Sequence, residues 1–141
     1  MAERTIRFGE HPAVPVIGQG TWYMGENPAL RAQEAAALRA GIDLGLTVID
    51  TAEMYADGGA EEVVGEAIRG QRDRVVLVSK VYPWNAGGRK IARACEASLR
   101  RLNTDYQDLY LLHWRGDYSL KETVACMEEL VALGKIRRWV V

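Results

Sequence analysis

The sequence predicts an α/β protein whose parallel strands are joined by crossover helices. Three observations carry this expectation. The first is a set of apolar runs that do not alternate, "LTVID", "RVVLVSK", "DLYLLHW" and "KIRRWVV". A strand buried on both faces reads this way, as parallel strands do when helices cover both sides. The second is that a segment with helical apolar spacing follows each of the first three runs. The third is regularity: from Ile49 to Val78, Leu111 and Val140 the steps are 29, 33 and 29 residues. A βα unit recurring at about 30 residues makes parallel strands with right-handed crossovers.

In chain order, Gly and Pro punctuate "RTIRFGEHPAVPVIGQGTW". Two short β-like runs flank "GEHP" and predict an N-terminal β-hairpin leading into the strand "VPVIGQG". Asn27-Pro28 marks a helix start with Pro at the first helical position, and the Ala-rich "ALRAQEAAALRAGIDLG" is expected to end at Gly45. After "LTVID", the segment "AEEVVGEAIRG" places Val63, Val64, Ala67 and Ile68 on one helical face. After "RVVLVSK", "GRKIARACEASLRRL" lines up Ile91, Cys95, Leu99 and Leu102. After "DLYLLHW", "SLKETVACMEELVALG" has Ser119 and Glu122 at capping-box spacing and Gly134 as its stop. "KIRRWVV" is the last strand. No linker interrupts the pattern, so residues 1–141 are read as one domain.

Two architectures fit this order, an open doubly wound sheet and part of a (β/α)₈ barrel. A dinucleotide-binding open sheet carries G-x-G-x-x-G after its first strand. Here "GQGTWYMG" has the wrong third glycine, and no helix follows at once to hold a pyrophosphate. The predicted fold is therefore the parallel (β/α)₈ TIM-barrel type. It is incomplete, at four βα units and a fifth strand, because a closed barrel takes about 250 residues.

Composition narrows the function. The 141 residues are 48% hydrophobic and 26% charged, the make-up of an ordinary globular protein. Lys+Arg 18 against Asp+Glu 19 leaves a formal charge of -1, which argues against a nucleic-acid partner. Cys95 and Cys126 fall inside helical patterns and read as small core or half-buried residues, so reduced thiols and a cytoplasmic location are expected. "MAERTIRFGE" has no apolar segment of a signal peptide, and no run approaches the ~18 residues of a membrane span.

The polar residues at the strand ends carry the chemistry. Asp50 ends "TVID", Lys80 ends "VVLVSK", His113 ends "LYLLH", and Tyr55 follows Asp50 by five residues. Each alone is ordinary: an acid caps a turn, a lysine reaches solvent, a histidine is a hydrogen-bonded core residue. Together they are not, because an apolar strand ending in a charge needs a partner, and Asp50 and Lys80 supply one another's. In a barrel all these ends share the active-site face. A phenol is a weak acid, with a pKa of about 10. A neighbouring ammonium stabilises the phenolate and makes the phenol an effective general acid. Asp50 would hold Lys80 charged and oriented, and a neutral His113 would donate to the substrate oxygen that Tyr55 protonates. Two donors converging on one oxygen describe carbonyl reduction. The hydride must come from a cofactor, since no side chain supplies one.

In this order and spacing, "DTAEMY", "SK" and "LLHW" resemble the catalytic tetrad of the aldo-keto reductases. The hairpin, "GQGTW" and "GKIRRW" resemble the same family, so the likeness covers essentially the whole chain. It implies Tyr55 as proton donor, Lys80 and Asp50 as its tuning pair, and His113 as substrate orienter. It implies NADPH, less often NADH, lying extended over the barrel mouth without a Rossmann motif, and no metal. Gly20, Thr21, Trp22 and Asp50 match the segments that approach the nicotinamide end. Trp22 and Trp114 match aromatic residues of the family's substrate pocket, with Trp84 a weaker match. For all three tryptophans, core or loop packing is the alternative. Asn85 stays unassigned.

The family's fifth strand continues as "G-V-S-N", whereas Val140 stands where that Gly is expected and Val141 is last. The expectation is a domain truncated on its C-terminal side, with open strand edges that self-associate or take a complementing chain. Two readings of function stay open. One is an NAD(P)H-dependent reductase of a small aldehyde or ketone, active alone or only when complemented. The other is a non-catalytic half-barrel serving as a binding or interaction module.

Overall fold

The computed structural model describes residues 4–141. Strands β1 (Thr5–Ile6) and β2 (Val14–Pro15) pair antiparallel as the N-terminal hairpin. The main sheet is parallel and runs in chain order through β3 (Gln19–Gly20), β4 (Val48–Asp50), β5 (Val76–Val81), β6 (Gln107–Leu112) and β7 (Ile136–Val140). "VPVIGQG" is therefore not one strand. Pro15 has no N–H and sits in the two-stranded ribbon, where no further strand needs one. The chain then presses against β4 at Gly18, where a Cβ would lie 2.9 Å from the Val48 carbonyl oxygen.

Helices α1 (Arg31–Asp43), α2 (Gly59–Ala67), α3 (Lys90–Leu102) and α4 (Leu120–Ala132) alternate with the strands. They pack in sequence, α1 on α2, α2 on α3, α3 on α4, and so lie on one face of the sheet. This is the single helix layer of the predicted barrel type, with the other face of the sheet turned inward. Ile49 and Leu77 face the helices, within one core with Leu38, Ile42, Val63 and Val64. A second core joins Val81 and Tyr110 to Cys95 and Leu99 of α3 and to Met127 and Leu130 of α4. Since side chains alternate along a strand, Val78 and Lys80 point to the other face. That face is the inner side of a barrel-type sheet, filled by side chains from neighbouring strands, which is why the runs are apolar throughout. A doubly wound sheet reverses its strand order at a switch point, and no reversal occurs among the described residues.

Local signals act mostly as expected. The Asn27 side chain accepts from the Ala29 N–H at 3.0 Å, but Pro28 opens a 3₁₀ turn, Pro28–Leu30, before the α-helix proper begins. Gly45 follows α1 with φ 92°. The Ser119 hydroxyl accepts from the Glu122 N–H at 3.1 Å, yet the capping box is only half made. The Glu122 carboxylate accepts instead from the Gly88 N–H at 3.2 Å, tying α4 to the loop before α3. Cys95 is buried and Cys126 half-buried, both without a disulfide. Burial, reinforced by Glu96, pushes the Cys95 thiol up to about 12 and keeps it protonated. Among the described residues no helix is long and apolar enough to cross a membrane.

Candidate active site

Parallel register brings the polar strand ends together. Gly20 pairs with Asp50, Asp50 with Val78, and Lys80 with Leu111, so the residues after each strand emerge at one end of the sheet. β5 runs one residue past Lys80, to Val81, and His113 follows β6 directly.

Lys80 is the hub. Its ammonium donates to Asp50 Oδ2 at 2.9 Å, to the Thr51 carbonyl at 2.8 Å and to the Tyr55 hydroxyl at 3.1 Å. Three protons meet three acceptors, so the cation is fully used while its side chain is only 12% exposed. Because the Tyr55 oxygen accepts from Lys80, its own O–H remains available to a group in the cleft. Asp50 is more open, at 42%, and faces both the lysine and the cleft mouth.

A tight bend aims Tyr55. Ala56, Asp57 and Gly58 adopt φ values of 52°, 52° and 91°, three left-handed residues in succession before α2 begins at Gly59. The loop after β3 packs onto this bend at Gly25, where a Cβ would stand 2.3 Å from the Gly59 carbonyl carbon. Only hydrogen fits there.

His113 stands edge-on to Tyr55, with ring centroids 5.8 Å apart at 84°. Burial, and then the Lys80 charge, lower its pKa against a smaller opposing pull from Asp50, so the imidazole is neutral at pH 7. Its Nδ1 is buried without a hydrogen-bond partner. We assign the proton to Nε2, since a buried lone pair is less costly than a buried orphan N–H. A neutral imidazole donor thus stands beside a phenol donor at this end of the sheet.

The sequence-derived aromatic residues gather around this tetrad. Trp22 lies 6.3 Å from Tyr55 and stacks on Tyr23. Trp114 lies 5.0 Å from His113 and 5.6 Å from Trp84. All three indoles are exposed and form an apolar rim on two sides of the tetrad. Gly20 is exposed, and a Cβ there would meet nothing within 4 Å. The open ground beside Asp50 suits a planar group such as a nicotinamide.

Thr21 is different. It is fully buried, and its hydroxyl donates to the Asp50 carbonyl at 3.0 Å. The side chain braces the ends of β3 and β4 from within, so any approach of this segment to a cofactor would be through its backbone. Three participants escaped the sequence reading. The Thr51 carbonyl, which holds Lys80, is backbone and leaves no mark in the sequence. Tyr82 stacks on Trp84 at 4.3 Å, and the adjacent "YPW" was the available signal. Glu53 lies between Asp50 and Tyr55, and its burial follows only from the fold.

Comparison with known proteins agrees with this geometry. The model of the aldo/keto reductase family matches residues 16–141. Methylglyoxal reductase YeaE of Escherichia coli is 68% identical over 139 residues, covering 99% of this chain and 49% of its own length. Glyoxal reductase of Bacillus subtilis is 39% identical over 136 residues, 94% of this chain and 47% of its own. The crystal structure of an aldo/keto reductase from Klebsiella pneumoniae in complex with NADP and acetate superposes with a TM-score of 0.95 at 76% identity. It matches 98% of this chain and 49% of that one. The chain spans about half the length of the curated relatives it matches.

Proposed function

The chain belongs to the aldo/keto reductase family, and from that premise we propose that its site reduces an aldehyde or ketone to an alcohol, with Tyr55 as general acid. The observation that carries the reading is the Lys80 ammonium held between Asp50, the Thr51 carbonyl and the Tyr55 oxygen. NADPH, or less favourably NADH, supplies the hydride when bound, and Gly20, Trp22 and Asp50 would hold its nicotinamide end. The chain's own residues handle the oxygen. His113 Nε2–H and Tyr55 O–H both donate to the carbonyl oxygen and orient it. As negative charge develops there, Tyr55 releases its proton to it, and the phenolate left behind is stabilised by Lys80. Asp50 keeps Lys80 charged and aimed.

The names of two relatives, methylglyoxal reductase and glyoxal reductase, point to small α-dicarbonyls as the first substrates to assay. Trp22, Trp84 and Trp114 would wall the substrate. A reducing, cytoplasmic setting belongs to the same proposal, in keeping with two unpaired cysteines. No metal enters the chemistry.

Tyr55→Phe tests the assignment, because it removes one hydroxyl and leaves the ring against Trp22 and Lys80. Turnover of methylglyoxal in the active enzyme should drop by roughly 10²–10⁴, the contribution of one positioned general acid, with NADPH affinity unchanged. Retained turnover would remove Tyr55 from the role.

A further inference from the structure

Glu53 is buried two residues before the proton donor, and the tetrad does not use it. Its Oε1 accepts from the Tyr82 backbone N–H at 2.7 Å and from the Asn85 carboxamide at 3.1 Å. Both donors belong to the loop after β5, whose 3₁₀ turn Pro83–Asn85 carries Trp84. That loop needs such an acceptor. β5 ends at Val81, so the Tyr82 N–H has no strand partner, and Pro83 has no N–H to offer. Trp84 in turn stacks on Tyr82 and meets Trp114 edge-on, at 4.3 and 5.6 Å. One carboxylate oxygen therefore ties the loop bearing Tyr55 to the loop bearing one wall of the cleft.

We propose that Glu53 is a positioning residue for substrate selection: through Tyr82 and Asn85 it holds Trp84 at a set distance from Tyr55, and so determines how well bulky, aromatic carbonyl compounds fit. This rests on the reductase reading above. The role requires an acceptor and not a charge, since both partners are neutral donors. The other charged groups bearing on Glu53 are Glu61 on α2 and Arg101 on α3, and neither is among its hydrogen-bond partners.

The acceptor requirement makes the test specific. Glu53→Ala loses both bonds, whereas Glu53→Gln retains the one oxygen that both donors share, with a lone pair for each. With benzaldehyde as the bulky substrate, Glu53→Ala should raise KM roughly 3- to 10-fold, the worth of one aromatic contact surface. Its kcat, and both constants for methylglyoxal, should stay within about threefold, because the tetrad is untouched. Glu53→Gln should restore the wild-type pattern. An equal loss on both substrates, or a loss in kcat alone, would overturn the proposal.

A second readout does not depend on turnover. Hydrogen exchange at the Tyr82 amide should be slow in the wild type and in Glu53→Gln, and at least about tenfold faster in Glu53→Ala. Equal exchange in all three would show that the tie is absent. Should Glu53→Ala fail to fold, Asn85→Ala removes one bond and keeps the other, and should give the same KM pattern at smaller size. An unchanged pattern there overturns selection by this loop. If the wild type reduces neither aldehyde, the reductase reading fails, and the Tyr82 amide decides the positioning role by itself.

Discussion

Ala56 holds φ 52° and ψ 32° immediately after the candidate proton donor. A Cβ in the left-handed region costs about 1–2 kcal/mol, and Ala56 has no polar side chain to offset it as the neighbouring Asp57 does. Glycine removes that cost but loses about 0.5–1 kcal/mol to chain entropy. The difference favours glycine. Ala56→Gly should therefore stabilise the protein by roughly 0.5–1 kcal/mol, read as a higher urea midpoint with an unchanged slope. A lower midpoint would mean that packing of the half-buried Ala56 methyl outweighs the backbone strain. The bend has a function in either case, since three left-handed residues in succession turn the chain sharply and leave the Tyr55 oxygen within 3.1 Å of Lys80.

Among the elements, α2 packs closely against α3, and Gly65 permits it. A Cβ there would lie 2.4 Å from the Arg101 carbonyl oxygen and 2.9 Å from the Leu102 carbonyl carbon, both backbone atoms. Helix propensity alone would favour alanine by up to about 1 kcal/mol. Overpacking against backbone costs about 1–3 kcal/mol and should win. Gly65→Ala is expected to destabilise by about 1–2 kcal/mol net in chemical denaturation; a neutral result would show that α2 can shift outward without cost. The same interface encloses Glu61, which is fully buried. Its Oε1 accepts from Arg101 Nε at 2.9 Å, and its Oε2 from the Ser79 hydroxyl at 2.8 Å. A buried carboxylate satisfied in this way fixes α2, α3 and β5 in one register. Ser79 is the chain neighbour of Lys80, so that register also sets where the lysine emerges.

For the molecule as a whole, β3 and β7 are the two edges of an open sheet among the described residues. β7 carries exposed Val140, followed by exposed Val141. An apolar strand with unpaired backbone groups is a template for another strand. The 141-residue chain produced by itself is therefore expected to self-associate, and Val140→Lys to shift it toward monomer in a sizing measurement. The residues proposed to hold the cofactor all meet its nicotinamide end. Without several charge-assisted bonds to the phosphates, each worth a factor of ten or more, the isolated chain should bind NADPH only above roughly 100 µM. Micromolar affinity in a clean monomer, measured by fluorescence titration, would show that both expectations misplace the cofactor and the edge.

What the sequence determined by itself is the part of the structure that local periodicity encodes. Non-alternating runs specified buried parallel strands, the 3.6-residue stripe of Ile91, Cys95, Leu99 and Leu102 specified a buried helical face, and the strand ends specified Asp50, Lys80 and His113. Periodicity records that a residue is buried, but not what buries it. Tertiary structure therefore decided that Thr21 points inward to Asp50, and that the Glu122 carboxylate meets Gly88 and not its own helix cap. It also supplied the Thr51 carbonyl to Lys80 and the Tyr82 N–H to Glu53, partners 29 residues away in each case. Such contacts are set by the register between parallel strands. A register is a property of two segments together, and neither segment carries it alone.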